Sequence, residues 1–159
     1  PFRQPLEHAA SLLRQHRNFL DLHRDEPFAR RYMADIGHYE FGSLHRPVAF
    51  PGLPALTEGR DPLTLDYWLA YWIAAFEHIL ERHGGREDVV LLSYEETCAG
   101  GRAALARLCE RLGIDPGGAL DSAAALVKAP PAPRADAPQA DPALVKRAGA
   151  VHEALSAGA

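Results

Sequence analysis

The chain has 159 residues, 47% of them hydrophobic and 24% charged, and a formal net charge of -4. Its length suits one domain and excludes a two-domain enzyme, and its composition excludes a disordered chain. The acidic balance argues against a general nucleic-acid binder but leaves room for a local basic pocket that holds a small anion.

From Pro5 to about Leu22, the apolar residues Leu6, Ala9, Ala10, Leu13 and Leu20 recur at helical spacing, with Arg14, Gln15, Arg17 and Asp21 on the polar side. Pro5 suits the first turn, where its missing N–H costs nothing. A second helix is expected from Pro27 to Ile36, stopped by Gly37. Residues 37–62 carry Gly and Pro too densely for regular structure, and a loop of that length is usually functional or partly disordered. Asp61-Pro62 then reads as the N-cap and first turn of a helix over Leu63–His83, closed by Gly84-Gly85. Leu65, Tyr67, Trp68, Leu69, Tyr71, Trp72, Ile73 and Phe76 place apolar groups on nearly every face of it, which predicts burial on several sides.

Asp88–Tyr94 is the clearest strand. Val89–Leu92 is a continuous apolar run, the pattern of a parallel strand covered on both faces. Such a strand needs neighbours, yet the remainder offers only Pro47–Phe50, bracketed by prolines. Together with a first residue other than Met, this predicts a remainder of a larger domain whose sheet is incomplete here. A helix is expected from Gly101 to Leu112, with Gly113 as its stop. The expected organisation is a domain over residues 1–128, a Pro/Ala-rich loop or linker over 129–142 and a C-terminal helix over 143–159. Cys98 and Cys109, about 16 Å apart on one helix, lie beyond disulfide reach. Free thiols suit a reducing compartment. With no apolar run approaching the roughly 18–20 residues that span a bilayer, a cytoplasmic location is expected.

Four groups of residues carry possible chemistry. Arg3 precedes the opening helix and Ser11 lies two turns inside it. A helix N-terminus favours anions, a guanidinium matches phosphate, and helical side chains lean back toward the N-terminus. Tyr94, with Glu95 and Glu96, follows the apolar strand, where a ring can stack on a base. The alternative for these three is a packed tyrosine and two acids that favour the start of a helix. The run Gly37-His38-Tyr39-Glu40-Phe41-Gly42, followed by His45 and Arg46, supplies His38 and Glu40 as candidates for an otherwise unassigned catalytic base. A structured loop with exposed polar groups explains the same residues. His8, His16 and His23 do not have the i, i+4 spacing of a helical zinc pair, and no metal is expected.

Two of these segments resemble sulfotransferases that use 3′-phosphoadenosine 5′-phosphosulfate. Residues 2–13, with Ser11 eight positions after Arg3, are similar to that family's 3′-phosphate-binding segment. Residues 89–96 are similar to its apolar strand ending in Tyr-Glu-Asp, and residues 105–114 to the helix and Leu-Gly stop that follow. The resemblance covers roughly residues 1–130. It implies an α/β fold, a P-loop NTPase-like parallel sheet with flanking helices, represented here by a mostly helical C-terminal portion. It also implies Arg3 and Ser11 on the 3′-phosphate and Tyr94 near the adenine.

The sequence departs from the family in several places. The Gly-rich 5′-phosphosulfate loop and the usual catalytic His or Glu would lie before Pro1. The late Arg-Lys-Gly is absent, and Lys146-Arg147-Ala148-Gly149 is a poor substitute. Lys128 or Arg134 is the candidate to close over the nucleotide. The expected function is sulfuryl transfer to a hydroxyl or amine on a small-molecule or glycan acceptor. The 37–62 loop and the aromatic helix would shape the acceptor pocket, and no turnover is expected from these residues alone. The alternatives are a nucleotide-dependent kinase of P-loop type and a non-catalytic helical interaction module presenting Trp68, Tyr71 and Trp72.

Overall fold

Spacing along the first helix already decides what it buries. Positions 5, 9, 13, 16, 20 and 23 fall on one stripe at steps of four or three residues. In the computed structural model, which describes residues 1–129 and 139–158, Pro5, Ala9, Leu13, His16 and His23 are the buried residues of α1, Pro5–Asp25. Two histidines therefore occupy core positions because the helical period puts them there. A hairpin turn at Glu26 leads into α2, Pro27–Asp35, which contributes Met33 to the core.

The stretch between residues 36 and 64 is mostly irregular, as its Gly and Pro content predicts. It also contains a 3-10 turn at Gly42–Leu44 and a five-residue helix, α3, Leu53–Thr57. The long aromatic helix α4 spans Leu65–His83 and is the centre of the molecule. Leu69 and Ile73 have no exposed surface, and Trp68 and Trp72 are almost as enclosed. Helix α4 packs against α1, α3 and the last helix, α7, Pro142–Ala157. The core joins Ala9 and Leu13 of α1, the inner face of α4, and Leu144, Ala148, Val151 and Leu155 of α7. Arg147 of α7 clasps Glu77 of α4 through two hydrogen bonds of 2.7 and 2.8 Å. Asp61 does not cap α4 as expected. Its carboxylate instead accepts from the Leu63 N–H at 2.8 Å in a turn just ahead of the helix, and Thr64 holds the cap position.

The expected P-loop NTPase-like parallel sheet is overturned. Among the described residues the fold is all-helical, and its β pairing is one isolated parallel bridge between Phe2 and Ser93. The Phe2 N–H donates to the Leu92 carbonyl and the Tyr94 N–H to the Phe2 carbonyl, both at 2.9 Å. Both partners are cut short by helix starts. Pro5 opens α1 three residues after Phe2. On the other side Ser93 N-caps α5, Tyr94–Leu112, by accepting from the Glu96 N–H at 3.2 Å. The apolar run Val89–Leu92 is accordingly extended but half-buried, lying between Phe76 and Ile79 on one side and Ala104 and Leu108 on the other.

Helix α5 starts earlier than the expected Gly101. Gly101 is a kink within it, with a φ of 49° and ψ of −124° that only glycine adopts readily. Helix α5 packs on α6, Ala119–Leu126, a helix that the Ala-rich sequence left unmarked. Cys98 and Cys109 both lie on α5 as free thiols. No helix among the described residues is long and apolar enough to cross a membrane.

Candidate functional site

The Phe2–Ser93 bridge brings two sequence-distant candidates into contact. Arg3 and Tyr94 each follow a bridged residue, and parallel pairing turns them to the same side. The Arg3 guanidinium carbon lies 4.6 Å from the centroid of the Tyr94 ring, in cation–π contact. Glu95 completes the join, accepting from the Gln4 N–H at 3.1 Å through one carboxylate oxygen.

Three polar atoms of this cluster are buried without a hydrogen-bond partner: Arg3 Nε, His8 Nδ1 and Glu95 Oε2. Burial is the main cause holding the His8 imidazole below its usual pKa. The Arg3 charge adds to that effect and Glu95 opposes it. A neutral His8 retains a donor and an acceptor beside a fixed cation, so the Arg3 and His8 side suits an anionic group with hydrogen-bonding oxygens, while the free Glu95 oxygen opposes one. The neighbouring Cys98 is the main cause holding the Tyr94 phenol above its usual range.

Ser11 stands apart from this contact. It lies one turn beyond His8 on the same face of α1, half-buried, and its hydroxyl accepts from Arg14 at 3.2 Å. Arg3 and Tyr94 are thus brought together, while Ser11 sits further along the same helix.

The second region is built where residues 37–48 fold against α1 and α4. Two histidines of α1 organise it. The Gly42 N–H donates to His16 Nδ1 at 3.1 Å, and the Ser43 N–H donates to His23 Nδ1 at 3.2 Å. Each imidazole must be neutral to accept in this way. The His23 Nε2–H then points at Met33 Sδ, 3.2 Å away. Burial is the leading cause that lowers both pKa values. The neighbouring His45 reinforces it for His16, with Asp61 opposing, and Arg30 and His38 reinforce it for His23. Gly42 has a φ of +71°, and a Cβ there would come within 2.9 Å of His23 and Phe19. The glycine is therefore required both by the turn and by the approach of α1.

The half-buried His45 forms a third link. Its Nδ1–H donates to the Glu40 carbonyl at 2.7 Å, leaving Nε2 to accept from the Tyr67 hydroxyl at 2.8 Å. Desolvation keeps this ring below its usual pKa against the pull of the Glu40 and Tyr39 carbonyls. Burial, with Tyr71 adding, raises that of Tyr67.

This folded loop encloses a cavity of about 390 Å³, with Leu12, Phe41, Trp68 and Tyr71 among its walls and Glu40 and Arg46 also lining it. Both expected catalytic candidates lie in this region. His38 Nδ1 is 3.1 Å from a carboxylate oxygen of Glu40, close but not aligned as a hydrogen bond. The His38 ring also stacks on Phe19 at 5.7 Å. Glu40 itself lines the cavity and His38 stands behind it.

Sequence reading missed His16 and His23 as organisers, although their places on the α1 stripe signal burial. Glu95 could not be paired with Arg3 and His8 from sequence, because the bridge that joins them spans 91 residues. Of the other basic candidates, Lys128 is exposed, Arg147 is engaged with Glu77, and Arg134 lies outside the described residues. Among the described residues no three His, Cys, Asp or Glu side chains gather as a metal site. Trp68 and Trp72 belong to the core, so they offer no open face to a partner. No family model, curated protein or solved structure matches this chain.

Proposed function

We propose that this chain forms the 3′-phosphate and adenine side of a site for 3′-phosphoadenosine 5′-phosphosulfate, in a sulfotransferase. The observation that carries the reading is the Arg3–Tyr94 contact, with the donors Arg3 Nε and His8 Nδ1 left unpaired beside it. A nucleotide 3′-phosphate would take the guanidinium and the His8 N–H, and the Tyr94 ring offers a face for the base. Ser11, further along the His8 face, supplies one more hydroxyl toward the nucleotide. The resemblance of residues 2–13 and 89–96 to the family's segments supports the same assignment. The helical fold described above enters only through the positions it gives these side chains.

In this reading the aromatic cavity receives the acceptor. Leu12 lines it and immediately follows Ser11, so the two regions are joined by about eight residues of α1, a rise of roughly 12 Å. Transfer forms a bond between acceptor oxygen or nitrogen and sulfur and breaks the bond from sulfur to the phosphate oxygen. The acceptor proton goes to a base, for which Glu40 and His38 are the candidates on this chain. The remaining requirements, an in-line approach and donors for the departing phosphate, fall to groups outside the residues assigned here. A kinase reading has no observation that favours it over this one.

Calorimetric titration with adenosine 3′,5′-bisphosphate tests the proposal. Binding is expected for the unmodified chain, with a loss of at least tenfold in Arg3→Ala and weaker binding of adenosine 5′-monophosphate, which lacks the 3′-phosphate. Equal affinity for the two nucleotides, or an Arg3→Ala variant that binds unchanged, would overturn it.

A further inference from the structure

The aromatic cavity carries a charge pattern that the proposed reaction does not require. Its walls are apolar and mostly ring-bearing, from Leu12, Phe41, Trp68 and Tyr71. Two charged side chains line it, and they are not equivalent. Glu40 is turned to His38, 3.1 Å away. Arg46 has no carboxylate partner among the described residues, its guanidinium instead lying 4.7 Å over the Tyr39 ring at the exposed edge. That stacking holds the guanidinium in place while leaving its N–H fork free. At the rim, the Tyr71 hydroxyl already accepts from the Val48 N–H at 3.1 Å, so its own proton remains to be donated.

We infer that this cavity binds a flat, aromatic carboxylate, with the ring system against Phe41 and Tyr71 and the carboxylate on Arg46. A volume of about 390 Å³ lies at the small end of ligand cavities and suits a ligand of about two fused rings. Ring walls favour a planar body by offset stacking. An arginine with no internal partner favours a carboxylate through two parallel hydrogen bonds. Tyr71 gives a donor to an oxygen at the other end of the ligand. As the acceptor, such a ligand would be a hydroxy-substituted aryl acid. That identity as acceptor rests on the proposed sulfuryl transfer, whereas the binding itself rests on the cavity alone.

Binding is measured by calorimetry with 6-hydroxy-2-naphthoate and its methyl ester, in the absence of nucleotide, so failure of the nucleotide site leaves the result untouched. The acid is expected to bind about ten- to hundredfold more tightly than the ester, a difference that Arg46→Gln removes. Arg46 is exposed, so the variant is expected to keep its fold, and the near-ultraviolet circular dichroism of Trp68 checks that it does. Val48→Trp, at the exposed rim, is expected to abolish binding of both compounds by filling the entrance. The inference fails if the ester binds as tightly as the acid, if neither binds the folded chain, or if Arg46→Gln leaves the preference intact.

Discussion

Lowering the pH should unfasten the loop that carries the cavity. The loop is tied to α1 by two imidazoles that act as acceptors, His16 for the Gly42 N–H and His23 for the Ser43 N–H. Both rings are nearly enclosed, with 4% and 5% of their surface exposed, and burial lowers the pKa of each in the folded chain. In the unfolded chain both titrate near 6.5. The unfolded state therefore binds more protons below that value, and stability must fall as the pH falls from about 6.5 toward the folded-state values. More than about one unit above 6.5 both rings are neutral in either state and the contribution is constant. Each buried ring changes stability by at most about 1.4 kcal/mol per pH unit within the window, so the pair contributes up to about 3 kcal/mol per unit. His8 and His45 shift in the same direction but are only half-buried, and they add less. Urea unfolding followed by tryptophan fluorescence, at half-unit steps from pH 7.5 to 5.0, measures the slope. The double variant His16→Asn and His23→Asn should be less stable at pH 7.5 yet lose much of the dependence. A flat profile in the unmodified chain, or the same slope in the double variant, would refute the argument.

Gly42→Ala should destabilise by at least about 2 kcal/mol, because it combines a left-handed backbone with a Cβ that collides with His23 and Phe19. An unchanged urea midpoint would count against the described turn. Ser93→Ala removes the N-cap of α5 and should cost about 1 kcal/mol in thermal or urea unfolding. The same variant should weaken nucleotide binding only modestly, since the Phe2–Ser93 bridge uses backbone groups that alanine keeps. A loss as large as that expected for Arg3→Ala would mean that the serine hydroxyl itself contacts the ligand.

Helices α1, α2, α4 and α7 were legible to within a few residues because each has its own local signature, whereas α5 starts seven residues before the expected Gly101 and α3 and α6 carry no such signature. Pro5, Pro27 and Pro142 mark three starts, and Gly37, Gly84 and Gly113 lie at or just beyond three ends. The sheet was misread for a physical reason of the same local kind. An apolar run such as Val89–Leu92 reports burial on two sides, but it does not report what does the burying. Here the run is only half-buried, and the residues that face it across the clefts on either side, Phe76, Ile79, Ala104 and Leu108, come from helices. The signals that stop the run, Ser93 followed by Glu95 and Glu96, were present, and they describe an N-cap and acidic first turn better than the far end of a strand.

The candidate sites show a different limit. Arg3 and Tyr94 were each visible as residue types able to hold an anion and a ring, yet their contact depends on a bridge across 91 residues that no local pattern encodes. The histidines of α1 were visible and were weighed for metal, for which their spacing is wrong. That same spacing is what makes them useful: i, i+7 returns to one face after two turns, so His16 and His23 meet successive parts of a single loop. Helix α1 thus has three tasks set by its period. Its stripe enters the core through Ala9 and Leu13, its first turns stand beside the Arg3–Tyr94 cluster, and its buried imidazoles hold the cavity loop. A one-residue insertion between Leu13 and His16 would rotate the imidazoles by about 100° off that face. The core contacts ahead of it would survive while the loop would lose both acceptors, which makes the cavity the less stable of the two sites despite its larger apolar wall.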